Sequence, residues 1–226
     1  MKTTQTILLL CAGLFAGAAG AAGFSDDFES YARESLNKKS GWTVGNPSAD
    51  QNVSVIAGSA AAGAGEQIAQ FKDGDSKPNI GSLVLWRGYD DKDGGRIQFD
   101  LKLQSHAQNP SFYLRNGTTD AVKIMFASAS VGRKVVYQNS AGTWIPVSSK
   151  PLTLGAWYRI EIIIAGDKFD IRILNGDQVA AEIKDAEFRT KVSSLNRIVF
   201  STNSNPGASG ADFSIDNLKI DPVSGS

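Results

Sequence analysis

The chain has 226 residues, 42% of them apolar, with 23 basic residues against 23 acidic ones and a single cysteine, Cys11. That balance gives no electrostatic reason to expect nucleic acid or an anionic membrane as a partner. One cysteine excludes a disulfide framework, so stability must come from an apolar core, which about 200 residues in one domain are long enough to build.

The chain opens on "MKTTQTILLLCAGLFAGAAGAAG", with one positive charge at Lys2, an apolar run from Ile7 to about Ala19, and small residues at Ala19, Gly20 and Ala21. This is the pattern of a secretory signal peptide cut near Ala21 or Gly23. Cys11 lies inside the apolar run, where a lipid-modified cysteine would not, so the mature chain is expected to lack cysteine. The run is short and rich in Gly and Ala, and no later segment offers ~18 consecutive apolar residues for a membrane span. The expected organisation is a signal peptide over 1–23 and one β-sandwich domain over 24–226. The expected location is secreted, periplasmic or extracellular.

From there to the end, short segments alternate apolar and polar residues between clusters of Gly, Asn, Asp, Ser and Pro. "SLVLWRG", "RIQFDLKLQ", "SFYLRNG", "VKIMFAS", "KVVYQN", "TWIPVS", "WYRIEIIIAG", "KFDIRILNG", "QVAAEI", "NRIVFST" and "DFSIDNLKI" all read as strands, and "DDFES", "NVSVIAG" and "EQIAQF" as weaker ones. No long helix is predicted. "AEFRTKVSSL" reads as one short helix or an irregular crossing, and 59–66 as a small-residue loop. "KDGD" and "DKDGG" read as turns, since neither has the spacing of a calcium-binding loop. Asn175-Gly176 in "ILNGDQV" predicts a hairpin with a type I′ turn, which requires positive φ.

In "RIQFDLKLQ", Ile97, Phe99, Leu101 and Leu103 share one face while Arg96, Gln98, Asp100 and Lys102 share the other. "WYRIEIII" sends Tyr158, Ile160, Ile162 and Ile164 inward. Two antiparallel sheets that pack their apolar faces together satisfy both patterns. The fold class is therefore all-β, a two-sheet antiparallel jelly-roll sandwich.

The stretch "LTLGAWYRIEIIIAGDKFDIRILNGDQVAAEI" resembles concanavalin A-like lectin and glucanase domains, laminin G-like modules included. In these a Gly-x-Trp-Tyr strand precedes a hairpin turning at Asn-Gly. "FSDDFESY", "GWTV" and "FSIDNLKI" resemble the first and last strands of exported bacterial jelly rolls that act on or bind polysaccharides. The resemblance implies that these terminal strands lie side by side. It also implies a structural calcium there, held by Glu29 and Asp216. Asn217 stands where such a motif often has a second Asp, which lowers the ligand charge for an ion that takes roughly six to eight oxygens. The plainer reading of Asp216-Asn217 is a bulge in an edge strand with solvated polar residues.

Three functions remain to be separated. A retaining glycosidase needs two carboxylates ~5 Å apart, and the polar face of 96–102 has only Asp100, so a hydrolase is not expected. A polysaccharide lyase needs a cation to neutralise a uronate and a Tyr or His to move the proton. His106, Tyr113 and Arg115 are the candidates, although the lyase motifs are absent as units. Non-catalytic carbohydrate binding asks only for an aromatic platform with planar polar groups around it. Arg96, Gln98, Asp100, Tyr113, Arg115, Lys123 and Trp144 would supply one, with Trp86 near a loop end. Trp86 and Tyr137 read more readily as core, and Trp157 as structural. Several cations on such a surface suit an acidic polysaccharide. The leading expectation is carbohydrate binding without catalysis. A lyase is the alternative, and an envelope or matrix protein-binding module stands behind it.

Overall fold

The computed structural model describes residues 23–58, 66–74, 81–91, 95–203 and 210–222. The segment expected to be a signal peptide, the loop expected at 59–66 apart from Glu66, and the middle of "DKDGG" lie outside these residues. The strands are β1 (Phe24–Asp26), β2 (Thr43–Gly45), β3 (Gln51–Ala57), β4 (Gln67–Asp73), β5 (Val84–Asp91), β6 (Gly95–Leu103), β7 (Ser111–Asn116) and β8 (Thr119–Ser128). After a 3-10 turn at Ala129–Val131 come β9 (Lys134–Gln138), β10 (Trp144–Pro146), β11 (Trp157–Ala165), β12 (Lys168–Asn175), β13 (Gln178–Glu187), β14 (Leu195–Ser201) and β15 (Ala211–Pro222).

They form two sheets. One runs β13-β12-β11-β6-β15-β4-β3 with β1 also on β15, and the other runs β10-β9-β8-β7-β14-β5-β2. All pairings recorded between strands are antiparallel. This is the expected jelly-roll sandwich. Its interior follows the alternation of the sequence: Ile97, Phe99, Leu101 and Leu103 are buried from one sheet, Phe112, Leu114, Ile198 and Phe200 from the other. Phe71 stacks on its cross-strand partner Phe213 at 4.2 Å within one sheet, and Phe99, edge-on to Phe200 at 5.0 Å, joins the two layers. Each such ring removes ~1.5–3 kcal/mol worth of apolar surface from water.

The first and last strands are neighbours as expected, but the pairing is Phe24–Asp26 against Leu218–Ile220 rather than 27–30. The chain turns away at once because Asp26 gathers the next segment onto itself. Its carboxylate accepts hydrogen bonds from Trp42 Nε1 (2.8 Å), the Tyr31 hydroxyl (2.7 Å) and the Phe28 amide (3.0 Å). A second correction concerns β15, which is no edge strand. It lies between β6 on one side and β4 and β1 on the other.

The bulge is real. Asp216 faces Asp100 and Lys219 faces Gln98, so three steps along β15 match two along β6. Asn217 takes up the extra residue at φ 49°, a left-handed conformation that asparagine tolerates better than most residues. Asp216 is not solvated but fully buried.

Three local expectations shift. The β12–β13 turn is centred on Gly176-Asp177, with Asn175 paired to Gln178. Only Gly176 has positive φ, which suits a II′ turn rather than I′. Residues 188–194 cross irregularly and form no helix. Lys72 and Asp73 of "KDGD" end β4 instead of forming a turn.

Candidate functional site

The outer face of the seven-stranded sheet carries a line of register partners. Tyr113 on β7 pairs with Lys123 on β8 and, on its other side, with Val199 on β14. Val199 pairs with Trp86 on β5. In the other direction Ile124 pairs with Tyr137, which sets Lys123 level with Gln138, and Gln138 pairs with Trp144 on β10. The row therefore reads Trp144, Gln138, Lys123, Tyr113, Val199, Trp86, with an indole at each end. Strands ~4.8 Å apart make it about 24 Å long across five steps.

One step along the strands, a second row runs beside the first. Arg115 pairs with Asp120 on one side and with Arg197 on the other. The Arg115 Nε donates to Asp120 Oδ1 at 2.6 Å, and Arg189, from the irregular crossing, reaches Asp120 Oδ2 at 3.4 Å. The two rows are joined through ring faces. The Arg115 guanidinium lies 4.7 Å and the Lys123 ammonium 5.4 Å from the centre of the Tyr113 ring. Lys123 is also 5.4 Å from the Trp144 ring, and Arg197 lies 4.3 Å from that of Trp86.

This cover explains why Tyr113 is only 4% exposed although it sits on an outer face. Its hydroxyl donates to Asn203 Oδ1 at 3.1 Å. Burial pushes the phenol up to about 12, and nearby Asp120 pushes in the same direction. The phenol therefore keeps its proton at neutral pH. Burial lowers the Lys123 pKa; the neighbouring Asp120 opposes this, while Arg189 and Arg115 add to it.

The residues expected to form one surface are divided between two. Tyr113, Arg115, Lys123 and Trp144 share the face just described, whereas Arg96, Gln98 and Asp100 lie on the outer face of the other sheet. The reason is pairing: β6 hydrogen-bonds to β11 and β15, not to β7, and 104–110 carries the chain from one sheet to the other. On that second face Arg96 and Asp100 are already paired. Arg96 pairs with Glu161, and Asp100, 2% exposed, takes Arg159 at 3.0 and 3.3 Å and Asn217 Nδ2 at 2.8 Å. Gln98 lines a cavity of about 320 Å³ beside Asp27 and Lys219.

His106 is separated from the other lyase candidates in its contacts. Its Nε2 is 2.8 Å from the Leu152 carbonyl oxygen, and its own carbonyl accepts a hydrogen bond from Arg133 at 2.7 Å, so the residue ties two crossings together. Tyr137 is core. Trp157 faces outward from the eight-stranded sheet, with the Lys102 ammonium 4.7 Å from its ring.

At the terminal strands, Glu29 Oε1 accepts the Gln67 amide at 2.8 Å. Asp216 Oδ1 accepts the Asn217 amide at 2.8 Å, while Oδ2 is buried without a hydrogen-bond partner. Burial first, then the charges of Asp100, Glu29 and Asp27, push the Asp216 pKa up to about 7. An orphaned oxygen among carboxylates fits a cation. Among the described residues, however, no group of three or more His, Cys, Asp or Glu side chains is placed to hold a metal, so an ion here would take its remaining oxygens from backbone or water.

Arg197, Arg189, Asp120 and Asn203 were not singled out from the sequence. Alternation in "NRIVFST" does aim Arg197 and Val199 outward, but nothing in the chain says that this strand lies against 111–116.

No family model matches the chain, and no curated protein matches it. Solved structures share its fold. A sialidase is 14% identical over 85% of this chain with a TM-score of 0.62, and the match spans 18% of that protein's length. An alginate lyase solved with an alginate tetrasaccharide is 10% identical over 90% of this chain and 98% of its own, with a TM-score of 0.55. An endo-β-1,4-glucuronan lyase from the fungus Trichoderma reesei is 13% identical over 88% of this chain and 95% of its own, with a TM-score of 0.56. These likenesses show the fold alone, a two-sheet antiparallel jelly-roll sandwich.

Proposed function

We propose that this chain is an exported carbohydrate-binding sandwich that holds a linear polysaccharide, without cleaving it, across the strands of its seven-stranded sheet. The observation that carries the reading is the row from Trp144 to Trp86. Indoles at both ends offer apolar faces to the C–H faces of sugar rings, and Gln138 and Lys123 offer hydrogen bonds between them. A span of about 24 Å suits an oligosaccharide laid across the strands better than a single sugar. The named activities of the structural neighbours, an alginate lyase and a glucuronan lyase among them, support a carbohydrate ligand. Export rests on the charge, apolar run and small residues of the leader. A structural calcium at Asp216 belongs to the same proposal, supported by the orphaned carboxylate oxygen.

Binding is favoured over cleavage by the state of the groups on the face. The Tyr113 phenol is covered, protonated and committed to Asn203, and the one described carboxylate beside the row, Asp120, is held by two arginines. One observation favours the alternative. Tyr113 and Lys123 are register partners, which sets a phenol able to move a proton beside a cation able to neutralise a uronate carboxylate, the two groups β-elimination requires. The two readings part on one experiment. Incubation of the purified protein with a panel of linear polysaccharides should give retention in affinity electrophoresis and no ultraviolet-absorbing unsaturated ends. Unsaturated ends that vanish in Tyr113→Phe would establish the lyase.

A further inference from the structure

Among the described side chains of this face, positive charge exceeds what the one carboxylate, Asp120, can balance. Arg115 and Arg197 are direct cross-strand partners, an arrangement of like charges that costs stability in a sheet unless something offsets it. Arg189 is brought to the same place by a segment outside both strands, and Lys123 stands one strand over. Among the described side chains, only Asp120 answers these four cations, and it is already shared between Arg115 and Arg189.

The geometry also leaves donors unspent. Arg115 uses Nε on Asp120 and lays its plane against Tyr113, while Arg197 rests on Trp86. No hydrogen-bond partner is recorded for the Nη groups of Arg115 or for the guanidinium of Arg197 among the described residues. A guanidinium held by a ring face and a carboxylate is preorganised, so an oxyanion that meets its free edge gains paired, charge-assisted hydrogen bonds at little ordering cost. The half-buried setting strengthens that attraction over the same contact in open water. Lys123, partly desolvated and close to the same cations, gains by an anion's arrival as well.

We propose that Arg115, Arg189 and Arg197, with Lys123, form an anion-reading row beside the aromatic one, and that the polysaccharide held on this face carries a carboxylate or a sulfate ester. The inference rests on the carbohydrate-binding reading of the same face and adds to it the ligand's charge and the side chains that read it. Arg189 and Arg197 become specificity residues, and Asp120 a positioning residue that keeps two guanidiniums apart and oriented.

The test compares a polyuronate with its carboxyl-reduced counterpart, and a sulfated galactan with its desulfated counterpart, on the full chain by affinity electrophoresis at low and high salt. At least one acidic polymer should bind more tightly than its neutral counterpart, with an affinity that falls as salt rises. Arg197→Gln and Arg189→Gln should each weaken that binding about tenfold, the worth of one charge-assisted hydrogen bond, and make it less steeply dependent on salt. Unaltered thermal melting of both variants would show that they fold. The acidic polymer that responds identifies the source as carboxylate or sulfate. Equal retention of acidic and neutral polymers would overturn the inference while leaving the binding face intact. Retention of none of the four would overturn the binding reading and the inference together.

Discussion

Replacing Asp216 by Asn tests the interior of the terminal-strand junction. The wild-type carboxyl sits near pKa 7 in the folded protein against an ordinary value of 3.8. Because the folded pKa is raised, the folded state holds a proton that the unfolded chain has released between those values. The resulting stabilisation is complete below about pH 4 and is lost as pH rises through about 7. The shift of about three units corresponds to about 4 kcal/mol at 1.36 kcal/mol per unit. Asn at this position has nearly the same shape and cannot ionise. Other groups titrate in both proteins, so the informative quantity is the stability of the variant minus that of the wild type, from urea unfolding in EDTA at several pH values. This difference should move in the variant's favour by about 4 kcal/mol between pH ~4 and pH ~8. Calcium added at the alkaline end should restore the wild type, by about 2.7 kcal/mol at a hundredfold excess over Kd, and leave the variant unmoved. A difference independent of pH would refute the reasoning, since it would mean that Asp216 ionises in the fold as freely as in the unfolded chain.

Deleting the chain from Ala211 onward removes the strand that pairs with β1, β4 and β6 and takes Phe213, Ile215, Leu218 and Ile220 out of the core. The truncated protein should show no cooperative melting by circular dichroism, and an unchanged transition would contradict the pairing. Trp42→Phe strips a buried donor from Asp26 and should destabilise the fold by about 1–3 kcal/mol in chemical denaturation. Polysaccharide retention should stay intact, because Trp42 points into the core and not onto the binding face. Tyr113→Phe should likewise keep retention within about twofold, since the hydroxyl is spent on Asn203 and the ring carries the packing.

The architecture was legible wherever a strand has one wet and one dry face. In 96–104 the alternation is unbroken, and Ile97, Phe99, Leu101 and Leu103 are buried as it predicts. The hairpin at 175–178 was legible too, but its centre moved by one residue, because an Asn-Gly pair marks a turn without saying whether Asn is inside it. Sheet membership left no such trace. Gln98 and Tyr113 are close in the chain, and period-two patterning gives each an outward side. Only the long-range pairing of β6 with β15 and of β7 with β14 puts those sides on opposite surfaces. For the same reason the surroundings of Arg115 escaped notice, since Arg197 pairs with it, and Arg189 shares Asp120 with it, from far along the chain. The interruption at Asp216-Asn217 was visible as a break in alternation, yet its burial depends on neighbours from β6 and the first residues of the fold.

The central claim is that the polysaccharide lies on the seven-stranded sheet, and the most direct test compares two double variants under one set of conditions. Trp86→Ala with Trp144→Ala removes both ends of the row, and Arg96→Ala with Gln98→Ala alters the opposite face without touching it. Isothermal titration with the polysaccharide retained by the wild type should show binding lost or weakened at least about thirtyfold in the tryptophan pair, at ~1–3 kcal/mol per stacked aromatic. The Arg96 and Gln98 pair should bind as the wild type does. Loss of binding in that second pair, with the tryptophan pair unaffected, would place the ligand on the other sheet and contradict the account.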